Sequence, residues 1–205
     1  MPSKAIPAGI TMKGEGGMGR RVLGIGTMAV ILVVMAALPG LSAASPAIKW
    51  TYHVGDAYLA SLDPTFSPDV AMASNGDTFT LTGTGTYNPG GPATGGGTFV
   101  HADPSGATRH FGTWTAVNVL SYTDFGNGVV NGFPRSFHGG ILVLAVTIAP
   151  TDVPGLVRSG TLTITCVIGD SVPAGAEEGF TAAIPGVITF GEPVSGNTLF
   201  VLTPK

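Results

Sequence analysis

Asp77-Thr-Phe-Thr-Leu-Thr-Gly-Thr-Gly-Thr-Tyr87 carries threonine at every even position from 78 to 86 and an apolar or small residue at every odd one. A period of two sends alternate side chains to opposite faces of an extended strand. Threonine is branched at Cβ, which stiffens χ1 and suits a pleated backbone, while its hydroxyl keeps one face wet. Phe79, Leu81 and Tyr87 then belong to a packed face, on which Gly83 and Gly85 leave room for a neighbour. The alternation returns in Thr161-Leu-Thr-Ile-Thr-Cys166 and, more loosely, in Gly112-Thr-Trp-Thr115. The chain reads as all-β, with one solvated and one buried face.

The neighbouring segments extend that reading. Ile48–Val54 alternates and forms a first strand; Pro64, Pro68 and Asn75-Gly76 make residues 57–76 a loop with one turn of helix near Ala57–Leu62. Asn88-Pro-Gly-Gly-Pro92 breaks the threonine strand, and Gly95–Gly97 reads as flexible. Asp103-Pro-Ser-Gly106 has proline and glycine where a type I turn with a G1 bulge needs them. The hairpin between Thr98–Ala102 and Ala107–Tyr122 then pairs Phe99 with Phe111 and His101 with Arg109, sending His101 and His110 to opposite faces. Arg109–Tyr122 is too long for one straight strand, so a bulge is expected near Ala116–Asn118. Phe125–Gly140 is a Gly/Asn-rich loop, and Ile141–Ile148 a central strand covered on both faces. Thr161–Ile168 is the second threonine-faced strand. Asp170–Gly179 is an acidic loop, and Gly186–Phe190 and Asn197–Leu202 close the domain. About eight long strands joined mostly in sequence order point to a single antiparallel meander closed into a barrel; the alternative is a two-sheet β-sandwich. This Gly/Thr-rich, long-stranded pattern resembles calycin and dirigent-type barrels at the level of fold, with no motif that carries a site across.

Arg20-Arg21, the apolar run Val22–Leu38 and the small residues Ser42-Ala43-Ala44 have the layout of a secretory signal peptide. Residues 1–44 are therefore expected to be an N-terminal signal helix cleaved after Ala44, with Ala47 as second choice, and 45–205 a single all-β domain. An uncleaved anchor is the alternative. Lys13-Gly-Glu-Gly-Gly17 reads like a translated purine-rich ribosome-binding site, which makes Met18 the expected start. Of 9 basic and 12 acidic residues, four bases and one acid lie in the leader, leaving 5 against 11 and a net charge of −6. No basic run remains, so nucleic acid is not an expected partner, and membrane contact is confined to the signal segment. Cys166 is the one cysteine and shares parity with Leu162 and Ile164, so it reads as a buried apolar residue rather than a reactive thiol.

No catalytic signature stands out, and no cofactor is implied. Trp50, Tyr52, Phe99, His101, Arg109, Phe111 and Trp114 are the residues able to line a lumen and its mouth, since a barrel of about eight strands can hold one small ligand. Glu177 and Glu178, with Asp170 on the same loop, are the densest carboxylates and the candidate calcium ligands, although adjacent strand residues point apart. The function expected is an exported, non-enzymatic binding or interaction module for a small apolar ligand or partner. One alternative is an isomerase or cyclase with polar groups from His101, Arg109 or Glu177–Glu178 at the lumen mouth. The other is a structural component of the cell envelope.

Overall fold

The computed structural model describes residues 49–129 and 136–203. The expected leader, its cleavage point and the start at Met18 lie outside the described residues. The described chain is almost wholly antiparallel sheet: β1 (Lys49–Val54), β2 (Asp69–Ala73), β3 (Thr78–Tyr87), β4 (Ala93–Ala102), β5 (Thr108–Gly128), β6 (Phe137–Pro150), β7 (Arg158–Cys166), β8 (Gly179–Ile184), β9 (Ile188–Ser195) and β10 (Thr198–Thr203). One short helix, α1 (Ala57–Leu62), is capped by the Asp56 carboxylate, which accepts from the Leu59 amide.

Strands β2 to β9 pair in chain order, and β9 pairs back onto β2, so eight strands form a hydrogen-bonded ring. Strand β3 has two neighbours on one side. Its first half pairs with β2 and its second half, Gly83–Tyr87, with β1. β1 in turn pairs with β10, which reaches the start of β6. The β1–β10 ribbon thus completes the wall where β2, β8 and β9 do not extend.

The threonine strand lies as its period requires. Phe79, Leu81, Gly83 and Tyr87 are buried, and Thr78 to Thr86 face outward. Across the outer face the Thr82 and Thr98 hydroxyls meet at 2.8 Å and those of Thr86 and Thr94 at 2.9 Å. Inward residues fill the ring: Phe79 stacks on Phe99 and Phe190, with centroids 5.1 and 4.8 Å apart. The gap among Phe79, Leu81, Trp114, Val146, Leu162 and Ala182 is only about 10 Å³, scarcely the volume one water occupies.

Several local expectations are corrected. The segment Asp69–Ala73 is strand β2 rather than loop, and Gly179–Ile184 is strand β8, which begins at the last residue of the expected acidic loop and runs through a stretch to which the sequence assigns no element. Gly95–Gly97 is inside β4, paired with Gly85, Thr84 and Gly83. Strands β5 and β6 extend well into the expected 125–140 loop. Between Ile141 and Ile148 of β6 the even positions are buried and the odd ones half-buried, so this stretch is covered fully on one face alone. The bulge expected near Ala116–Asn118 is present, with further irregularities at Val119–Ser121 and Asp124–Gly126. Hairpin register is the most consequential change. Ala102 pairs with Thr108 as the turn predicts, but Arg109 is then bulged out, and from there His101 faces His110 and Phe99 faces Gly112.

Candidate functional site

The residues expected to line a lumen divide into three groups. Trp50, Tyr52, Phe99 and Trp114 point inward and are packed in the core, and of these only Phe99 also borders one of the two pockets at the mouths. Trp50 meets Tyr87 at 6.3 Å and the His138 ring edge-on at 4.5 Å. The Tyr52 hydroxyl donates to the Thr94 carbonyl (3.0 Å) and the Trp114 indole N–H to the Thr82 carbonyl (3.0 Å). Both polar tips are thereby satisfied in an apolar setting, as buried aromatic side chains require. Arg109 and Phe111 lie outside; Phe111 is 48% exposed and sits opposite Val100 on the outer face. His101 lies between these groups, at the rim.

Two pockets open at opposite ends of β7 and β8. The first, about 190 Å³, is walled by Phe79, Phe99, Ile148, Leu156, Ile184 and Ile188, with His101, His110 and Arg158 as its polar edge. Each histidine is held by a carboxylate: His101 Nε2 lies 2.9 Å from Asp77 Oδ2, and His110 Nδ1 lies 2.8 Å from Asp152 Oδ2. The bond from His101 is the main cause that lowers the Asp77 pKa, and the bond from His110 does the same for Asp152.

The second pocket, about 260 Å³, lies at the other mouth. Leu59 and Leu62 of α1, Phe66 and Ile168 supply its apolar wall, and Glu178 and Thr198 its polar floor. Glu178 is turned in from the loop to join three strands. Its Oε2 accepts from the Val167 amide just past β7, and its Oε1 from the Thr198 amide at the start of β10, both at 2.7 Å. The Thr198 hydroxyl lies 2.7 Å from the Thr165 carbonyl and 3.0 Å from Glu178 Oε1, its one proton placed between two acceptors. Burial raises the Glu178 pKa, while the donors act against it.

Near Glu178 lies a carboxyl that sequence reasoning missed. Asp69, the first residue of β2, is fully buried, and among the described residues neither of its oxygens has a well-formed hydrogen bond. Three glycines wall it in: a Cβ on Gly55 or Gly196 would collide with the Asp69 backbone, and one on Gly179 would stand 3.3 Å from Oδ1. Burial pushes its pKa up to about 8, helped by the Glu178 charge and opposed by the Val70 amide. Each Glu178 oxygen accepts a backbone amide and the Asp69 oxygens do not, so of the two Glu178 is the better placed to carry a negative charge and Asp69 to keep a proton. Of the two carboxyls, Glu178 borders the 260 Å³ pocket, while Asp69 lies behind it within its wall of glycines.

Of the expected calcium set, only Glu178 faces inward; Asp170 and Glu177 are exposed. Among the described residues no three His, Cys, Asp or Glu side chains converge as a metal centre. Cys166 is buried, which raises its thiol pKa well above the usual value, so it is present as the neutral thiol. No family model, no curated protein and no solved structure matches this chain.

Proposed function

We propose that the protein is an exported binding module: a closed barrel with a filled lumen that takes a small apolar ligand at its mouth rather than through its centre. The observation that carries this reading is the 260 Å³ pocket between α1 and the ends of β7 and β10, apolar on its walls and acidic at its floor. A packed interior supplies the rigid frame, and a concave apolar site with few polar groups is the usual form of a small-molecule site. The floor selects the ligand. Glu178 presents oxygens with lone pairs to spare beyond the two amides it accepts, so an amine or other donor head group fits and a carboxylate is repelled. The ligand class is therefore a small apolar amine.

Thermal denaturation with primary alkylamines from butyl to octyl, against alkyl carboxylates of equal length, tests this. Amines should raise Tm progressively with chain length and carboxylates should not. Leu62→Trp, which fills the pocket from the half-buried face of α1, should abolish the shift while leaving the unliganded Tm within a few degrees. Equal response to both head groups, or an undiminished shift in Leu62→Trp, would overturn the proposal. A second reading, proton transfer on a bound substrate, draws support from the protonated Asp69 beside Glu178. It requires turnover that Asp69→Asn removes while amine binding persists.

A further inference from the structure

The bulge at Arg109 sets His101 opposite His110 on neighbouring strands, with ring centroids 6.1 Å apart. Each ring is gripped at one nitrogen by an aspartate, His101 at Nε2 and His110 at Nδ1. An ionised carboxylate can only accept, so the nitrogen facing it carries the proton. The nitrogens left to offer a lone pair to a metal ion are then His101 Nδ1 and His110 Nε2. Asp77 is itself steadied by Arg109 Nε at 3.4 Å, and Asp152 by the Phe111 amide at 3.1 Å. A carboxylate behind each imidazole is the arrangement that orients metal-ligating histidines and raises their basicity. The pair is also reachable, since the His110 side chain is 45% exposed and that of His101 15%.

We propose that His101 and His110 together form an open, two-imidazole site for a divalent transition-metal ion, its remaining positions filled by water or by an anion. Imidazole suits copper, nickel and zinc, and affinity for a site of this kind peaks at Cu²⁺. The absence of a third His, Cys, Asp or Glu ligand among the described residues makes the ion exchangeable, unlike the closed four-ligand sites that hold structural zinc. Arg158, which lines the same pocket as both histidines, is placed to attract the completing anion.

Cu²⁺ titration followed by electron paramagnetic resonance reads this directly. One ion should bind per chain with hyperfine splitting from two imidazole nitrogens. His101→Asn and His110→Asn should each weaken binding by at least about tenfold and reduce the signal to one nitrogen, whereas His53→Asn should change neither. Asp152→Asn, which leaves both ligands in place, should weaken binding by about tenfold, because it releases the orientation of His110. Since His110 is half-exposed, His110→Asn keeps the test valid should His101→Asn prove unfolded by circular dichroism. A two-nitrogen signal that survives in His110→Asn, or no bound ion at about 100 μM Cu²⁺, would overturn the assignment.

Discussion

Asp69 and Glu178 are the same chemical group under one mouth of the ring, and they differ in what meets their oxygens. Glu178 is bonded by two backbone amides, whereas among the described residues neither Asp69 oxygen has a well-formed hydrogen bond and only the Val70 amide lies near enough to oppose its burial. A buried carboxyl so poorly supplied with donors resists ionisation, so the folded state keeps the Asp69 proton that the unfolded chain releases near pH 4. With the folded pKa above the unfolded one, this group's contribution to stability is complete below about pH 4 and is lost as pH rises towards 8. The slope reaches about 1.4 kcal/mol per pH unit. Urea unfolding between pH 4 and 8 should therefore show stability falling as pH rises, and Asp69→Asn should flatten that fall; an unchanged slope in the variant would assign it elsewhere. Sequence gave Glu178 visibility through its acidic neighbour Glu177 but no sign of which one turns inward. Asp69 was hidden for a different reason. It follows Pro64 and Pro68, and aspartate is a poor strand former, so the small-residue alternation of Ala71 and Ala73 was the sole strand signal.

Among the elements, β3 and β4 show glycine acting through space rather than through flexibility. Gly83 lies against the Trp114 ring and Gly85 against the Tyr52 hydroxyl and the Thr94 carbonyl, so two large inward side chains occupy room that any Cβ would take. Gly85→Ala should destabilise the protein by about 2–3 kcal/mol in urea unfolding, the usual cost of an overpacked core. Gly191→Ala in β9, where an added Cβ meets nothing, should stay within about 0.5 kcal/mol of the parent. Equal effects at the two positions would contradict this packing. The room needed by Gly83 and Gly85 was legible in the threonine strand, because the inward parity was. That Gly95–Gly97 forms the facing strand was not, since its pairing is non-local and glycine lowers strand propensity. The same limit applies to the hairpin: Asp103-Pro-Ser-Gly106 fixes the first pair, Ala102 with Thr108, but the bulged Arg109 decides the rest. A one-residue shift of that kind changes the face of every residue beyond it, and it is what brings His101 to His110.

For the whole molecule, alternation and tight turns specified an all-β chain of sequential antiparallel neighbours, and the structure has them from β2 to β9. Local signals could not reveal how the ends meet, because β9 joins β2 across more than a hundred residues of intervening chain, through an irregular register from Val70–Ser195 to Ala73–Phe190. Both pockets owe their walls to that closure, which holds α1 beside Glu178 at one mouth and Ile184 and Ile188 beside His101 at the other. The most direct test is proton nuclear Overhauser spectroscopy across this seam in the isotopically labelled protein. A closed ring predicts backbone cross-peaks between Met72 and Glu192 and slowed amide exchange along β2. Absence of those cross-peaks, with the amides of β2 and β9 exchanging as an open sheet edge does, would contradict the ring and both sites built on it.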